Sequence, residues 1–185
     1  MEKIILASGS PRRRELLTLA GISFEVIVSE AEEHTEKTLP GEIVEELSFI
    51  KAQAVAKEHP GRFVLGSDTV VVKDGNILGK PKDREDAIRM IRSIQGTTHE
   101  VYTGVTFIRD DWRYSFHEAA QVEVYPMTEE EILSYVDSGE PMDKAGAYGI
   151  QGSFARHIKG ISGEYQTIVG LPIGRVWQEM KKKLV

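Results

Sequence analysis

A strand that ends in a turn of hydroxyls and glycine, then runs straight into a helix, constrains this chain more than any other feature. It is Leu6-Ala7-Ser8-Gly9-Ser10-Pro11-Arg12-Arg13-Arg14-Glu15. The short β-branched run Ile4-Ile5-Leu6-Ala7 predicts a buried strand. Ser10 suits the N-cap, and Pro11 suits the first helical position, where its missing N–H would have had no partner. Leu16, Leu17, Leu19 and Ala20 continue the helix, and Gly21 can close it. Ser8, Gly9 and Ser10 therefore sit where backbone N–H groups point outward at the positive end of a helix dipole. Arg12 and Arg13 lie in the first turn, where a lone cation is disfavoured by about 0.3–1 kcal/mol. Such arginines make sense if an anion binds among them, and a phosphate is the natural candidate. The spacing is neither that of a P-loop nor that of a dinucleotide-binding glycine fingerprint.

At 185 residues the chain can bury a sizeable core, as one domain or two closely joined lobes. Its net charge of −6 argues against general nucleic-acid or membrane-surface binding, which need a basic face. A mononucleotide needs only a local basic cluster. The absence of cysteine excludes a disulfide scaffold, a thiolate nucleophile and a thiolate-held metal, and fits a reducing cytoplasm. No apolar run approaches membrane-spanning length, and Ile4–Ala7 is too short for the core of a secretion signal.

Along the chain, residues 22–28 predict a second strand, which empties into the acidic loop Ser29-Glu30-Ala31-Glu32-Glu33-His34. A helix is expected from about Glu42 to Glu58, with Ile43, Leu47, Ile50 and Ala54 as its core stripe. Val44, Lys51 and Val55 form the neighbouring row, so Lys51 borders an apolar face. It is either a snorkelling lysine or an ammonium at the rim of a pocket. A β run over 62–72 carries Gly66, which suggests a bulge or a close backbone approach. Asp68 interrupts this run, and a carboxylate is rarely buried unless paired or metal-bound.

Asp74-Gly75 marks a hairpin turn leading to the strand Ile77-Leu78-Gly79 and then Lys80-Pro81. Asp83 caps a helix through Ile88, Ile91 and Ile94. Strands over 100–109 and 114–125 form a long hairpin. Thr128 and Glu131 make a capping box for a helix with Ile132, Leu133, Tyr135 and Val136 on its apolar face. In Asp143-Lys144-Ala145-Gly146-Ala147-Tyr148-Gly149-Ile150-Gln151-Gly152, the small residues permit close backbone approach to a ligand, while Asp143, Lys144 and Gln151 bring charge and an amide. Strands over 154–158 and 165–169, joined by a turn over 159–163, and a closing helix over 172–183 complete the reading.

Taken together, Ser8–Arg13, Glu32-Glu33, Lys51-Ala52, Gly66–Thr69, Gly79–Pro81, Asp143–Gly152 and Val169–Pro172 resemble the Maf family of nucleotide pyrophosphatases, also called septum-formation inhibitor proteins. The blocks appear in the family's order and spacing from end to end of the chain. The resemblance implies one Maf-like domain over 1–185. Its fold would be α/β: a mixed twisted sheet with flanking helices in two lobes around a cleft, related to the inosine-triphosphate pyrophosphatases.

It also implies hydrolysis of a nucleoside triphosphate to the monophosphate and pyrophosphate with a divalent metal (magnesium, manganese or cobalt), in a cytoplasmic protein and in a possible homodimer. By position it makes Asp68 the proton acceptor, Glu33 a metal- or site-organising carboxylate, and Lys51 and the arginines phosphate binders. Arg12, Thr69 and Gln151 match the branch that acts on dTTP and UTP.

The chemistry of the residues is compatible with this. Arg12, Arg13, Lys51, Lys80 and Lys144 can neutralise a triphosphate, with Ser8, Ser10 and Asp143 beside them. Glu33 and Asp68 can supply carboxylates to a metal that otherwise keeps waters and phosphate oxygens. Asp68 would deprotonate a water for in-line attack at the α-phosphorus; the reverse assignment, with Glu33 as base, stays open. Two other readings are a nucleotide-binding regulator of cell division and a pyrophosphatase for modified nucleotides.

Overall fold

The computed structural model describes residues 2–184. The apolar run at the start forms β1 (Ile4–Leu6), all three residues fully buried. It lies between β2 (Phe24–Val26) and β3 (Val64–Lys73), parallel to both, with Ile4 opposite Phe24 and Ile5 opposite Val64. A strand flanked by parallel partners is covered on both faces, which is why β1 is continuously apolar and not alternating. Helix α1 (Pro11–Leu19) connects β1 to β2, with Ser10 as N-cap accepting from the Arg13 N–H and Gly21 at φ +67° just past its end.

The remaining elements are α2 (Pro40–Glu58), β4 (Asn76–Leu78), α3 (Arg84–Ile94), β5 (Thr98–Arg109), β6 (Trp112–Val124), α4 (Glu129–Asp137), β7 (Ile158–Ser162), α5 (Tyr165–Val169) and α6 (Ile173–Leu184). The strands make a seven-stranded mixed sheet in the order β2-β1-β3-β5-β6-β7, with β4 antiparallel on β3. The β3–β4 turn has Asp74 and Gly75 at φ +49° and +76°, as a two-residue hairpin requires. The capping box of α4 is formed as expected.

The chain divides into two compact units. Unit 1 holds the residues up to Asp68, Thr103–Glu118, and those from Gly170 onward; unit 2 holds Thr69–Tyr102 and Ala119–Val169. In unit 1 a core cluster gathers Ile5, Ala7, Ala52, Val55, Val64 and Ile108. In unit 2, α3 and α4 pack on each other; α3 buries Ile88, Ile91 and Ile94, and α4 buries Ile132, Tyr135 and Val136.

Two expectations are corrected. The buried residues of α2 include Ile43, as expected, but continue as Val44, Ser48, Ala52 and Val55, whereas Leu47, Ile50 and Ala54 are only half-buried. Small residues decide this: a Cβ on Gly104 would meet the Val44 carbonyl, and one on Gly66 would meet the Ser48 carbonyl and Ala52. The helix presses its small face onto two strand glycines, a contact that a count of large apolar residues passes over. Gly66 is thus a point of close approach.

The second correction covers 153–169. Ser153–His157 is a 3-10 helix, β7 occupies the expected turn over 159–163, and 165–169 is helix α5 and not a strand. Phe154 and His157, three residues apart, both turn inward, and the Phe154 ring lies 4.8 Å from that of Tyr148 and 5.0 Å from that of Tyr135. That spacing belongs to a tight helix. β7 instead pairs antiparallel with β6, Gly160 facing Glu123.

Candidate active site

Unit 1 assembles the first group of side chains from four segments. The turn after β1 is closed by Ser8, whose Oγ accepts from the Ser10 N–H at 3.3 Å and from Arg13 Nη1 at 3.0 Å. Both bonds use oxygen lone pairs, so the hydroxyl proton is left to donate. Arg13 Nε donates to the Gly170 carbonyl at 2.7 Å, and the same carbonyl accepts from the buried Ser67 hydroxyl at 3.2 Å. Burial pushes the Arg13 guanidinium below its ordinary value, opposed chiefly by attraction to Asp68. Arg12, one residue earlier in the first turn of α1, is half-buried.

Lys51 is the centre of this group. Its Nζ lies 2.6 Å from Asp68 Oδ1 and 2.9 Å from Glu33 Oε2. Helix α2 brings the ammonium, β3 brings Asp68, and the irregular loop before α2 brings Glu33. Asp68 is 9% exposed, so its pairing is what a buried carboxylate needs. Of the two α2 readings for Lys51, snorkelling into water is excluded: its side chain is only 13% exposed and spans two carboxylates. In this structure its charge is matched by Glu33 and Asp68.

Unit 2 carries the second group. Thr69 follows Asp68 in β3 and is half-buried. The Gly146 N–H donates to the Gly79 carbonyl at 3.0 Å, which seats the turn bearing exposed Lys80 against the loop bearing Lys144. Lys144 Nζ donates to Asp143 Oδ1 at 2.7 Å and to the Glu140 carbonyl at 2.6 Å, and Gln151 is exposed.

The glycines here make room for the protein's own side chains. A Cβ on Gly146 would strike Val71 at 2.9 Å, one on Gly149 would strike the Lys144 stem at 2.8 Å, and one on Gly152 would occupy the place of the Glu140 carboxylate. Buried Tyr148, whose hydroxyl meets His99 Nε2 at 2.7 Å, anchors the loop's middle.

Sequence reasoning assigned nothing to Ser67, Gly170 or Glu140. The signal for Gly170 was its place in Val169-Gly170-Leu171-Pro172: it sits at φ +123°, where only glycine is at ease, and aims its carbonyl at Arg13. The signal for Glu140 was two glycines downstream that make room for side chains.

A Maf-like protein family model matches residues 3–183. The chain is 52% identical, over 98% of its length and 95% of the relative's, to a dTTP/UTP pyrophosphatase of Lachnoclostridium phytofermentans. It is 50% identical, over 98% and 96%, to a dTTP/UTP pyrophosphatase of Bacillus anthracis. Among solved structures it is similar to the Staphylococcus aureus Ham1 protein, with TM-score 0.50 and 15% identity over 84% of this chain and 93% of that one; this likeness concerns the fold alone. No helix among the described residues is long and apolar enough to cross a membrane. A match over almost every residue means that this chain belongs to the Maf-like protein family.

Proposed function

We propose that this protein hydrolyses dTTP and UTP to the monophosphate and pyrophosphate, with Asp68 activating the attacking water at the α-phosphorus. The observation that carries the reading is the Lys51 ammonium held between Asp68 and Glu33. The names of relatives that share half of its residues support the substrate. Asp68 is buried on a strand and held by Lys51 through one oxygen, which fixes the direction in which the carboxylate meets a water. Glu33, on a loop and half-exposed, suits the role of site-organising carboxylate.

Among the described residues no group of three or more His, Cys, Asp or Glu side chains converges on one point. Two carboxylates on one ammonium fit a divalent ion that keeps waters and takes phosphate oxygens, as magnesium does. Glu33 and Asp68 would hold it. When bound it supplies charge neutralisation at the phosphates. Arg13, fixed by Gly170 and Ser8, and Arg12 beside it bind phosphate oxygens at the start of α1, with the Ser8 and Ser10 hydroxyls as neutral donors. Lys80, Asp143 and Lys144 are further candidates for binding phosphate.

Thr69 and Gln151 contact the base, and Arg12 completes the selection. An amide and a hydroxyl matched to the uracil-type edge reject a base that leaves them unpaired. The C5 methyl that separates dTTP from UTP is worth only about 1–3 kcal/mol, so both are substrates.

The test is pyrophosphate release from dTTP, UTP, CTP, ATP, GTP and 7-methyl-GTP, with magnesium, manganese or cobalt against a chelator. Metal-dependent release strongest with dTTP and UTP is expected. Release confined to 7-methyl-GTP overturns the base assignment. No release from any of them, with nucleotide still bound, overturns the hydrolase reading in favour of a nucleotide-binding regulator.

A further inference from the structure

We infer that Glu140 is a positioning residue for nucleotide selection: its side chain clasps the 140–153 loop and thereby fixes the backbone from which Gln151 projects. The inference rests on the reading above, in which Gln151 meets the base.

Glu140 opens a 3-10 turn (Glu140–Asp143) directly after Gly139, which sits at φ +77°. Its Oε2 accepts from the Ser153 N–H at 3.0 Å and from the Ser153 hydroxyl at 2.7 Å. Its Oε1 accepts from the Tyr135 hydroxyl at 3.2 Å. Its backbone carbonyl accepts from Lys144 Nζ at 2.6 Å. One residue thus joins the two ends of a loop to each other and to Tyr135, which is 1% exposed on α4 and cannot yield.

The loop is shaped for this clasp. Gly152 leaves the space that the Glu140 carboxylate fills, and Gly149 leaves the space for the Lys144 stem. Gly152 has an ordinary φ of −100°, so its lack of a side chain answers to Glu140 and not to backbone strain. Burial pushes the Glu140 carboxyl up, but the bonds from Ser153 and Tyr135 and the charge of Lys144 outweigh it and hold the group below the usual carboxylate range. The clasp is therefore ionised at neutral pH, and hydrogen bonds to a charged acceptor are the stronger kind.

Gln151 stands one residue from Gly152 and two from Ser153, next to the stapled end. Its amide carries an acceptor and a donor on opposite sides. Uracil and thymine present N3–H and O4; cytosine presents the complementary pattern. An amide carried on a loop of variable position can meet either pattern, so discrimination requires that the backbone bearing it be held in one place. With glycines at 146, 149 and 152, an unclasped loop would also have to be ordered when substrate binds, at a cost in affinity.

The experiment measures kcat and KM for dTTP, UTP and dCTP in the wild type and in Glu140→Ala, Ser153→Ala, Gln151→Ala and the Glu140→Ala/Gln151→Ala double variant. Glu140→Ala is expected to raise KM for dTTP about tenfold and to lower the dTTP/dCTP ratio of kcat/KM by a similar factor, with kcat nearly unchanged. Ser153→Ala, which removes one hydroxyl of the clasp, changes both in the same direction by less and keeps the test open if Glu140→Ala fails to fold. In the Gln151→Ala background, Glu140→Ala leaves the ratio where Gln151→Ala put it.

A wild-type ratio in both Glu140→Ala and Ser153→Ala overturns the inference, as does a full further drop in the Gln151→Ala background. A wild type that releases no pyrophosphate from dTTP instead overturns the parent reading.

Discussion

The group around Lys51 and the loop around Glu140 both hold charged side chains in place, by opposite means. Lys51, Asp68 and Glu33 come from a helix, a strand and a loop separated by up to 35 positions in the chain, and their charges meet at 2.6 and 2.9 Å. Lys51 and Asp68 are oriented by regular structure: α2 lies so close to β3 that Gly66 has no room for a Cβ. In the 140–153 loop the partners lie within 18 residues of one another, and the side chains themselves replace regular structure. The Lys51–Asp68 pair is thus held by a helix and a strand, and the 140–153 loop by a side-chain staple. A fault in the first should cost rate or folding, and a fault in the second should cost affinity and choice.

That contrast can be broken or sharpened in order of expected effect. Asp68→Asn keeps the shape of the side chain and removes the base. Pyrophosphate release should fall by about 10²–10⁴-fold with circular dichroism unchanged; a rate near wild type would dissolve the distinction between the two regions. Lys51→Met removes the cation that Asp68 faces. Breaking one side of a buried ion pair should cost about 3 kcal/mol, read as a lower urea midpoint at pH 7.

In unit 2, burial, helped by the charge of Lys73, pushes the His99 imidazole down to about 4. Its folded value lies below its unfolded value of about 6.5, so the neutral ring favours folding above that pH. As pH falls from about 6.5 to about 4 the unfolded chain takes up a proton that the folded chain refuses, and about 3 kcal/mol of stability is lost. His99→Gln, which keeps a partner for Tyr148, should flatten that part of a stability–pH curve. Smallest are the helix caps. Thr128→Ala removes a reciprocal box and Ser10→Ala a single bond of 3.5 Å. Each should cost about 1 kcal/mol in a urea titration, Thr128 the more.

The same contrast explains what could be read from the sequence. The turn at Ser8–Arg13, the caps at Ser10, Asp83 and Thr128, and the Asp74-Gly75 hairpin rest on local chemistry, and each stands where its residues predict. Asp68 was legible because a carboxylate in an apolar strand demands a partner. The buried face of α2 was not, because Ser48 and Ala52 are chosen for closeness to Gly66 and not for size. Nor was 153–169: Phe154, Arg156 and Ile158 alternate like a strand, and only the rings of Tyr135 and Tyr148 reveal the inward turn of Phe154 and His157. The glycines of 146–152 make room for Val71, Lys144 and Glu140, partners that their spacing in the sequence does not name.

The central claim is that Asp68, held by Lys51, directs water onto the α-phosphorus. It is tested most directly by turnover of dTTP in ¹⁸O-labelled water, with mass analysis of both products. The account predicts one label in the monophosphate, none in the pyrophosphate, and loss of the labelled product with Asp68→Asn. Label in the pyrophosphate, or undiminished labelling of the monophosphate by Asp68→Asn, would contradict it.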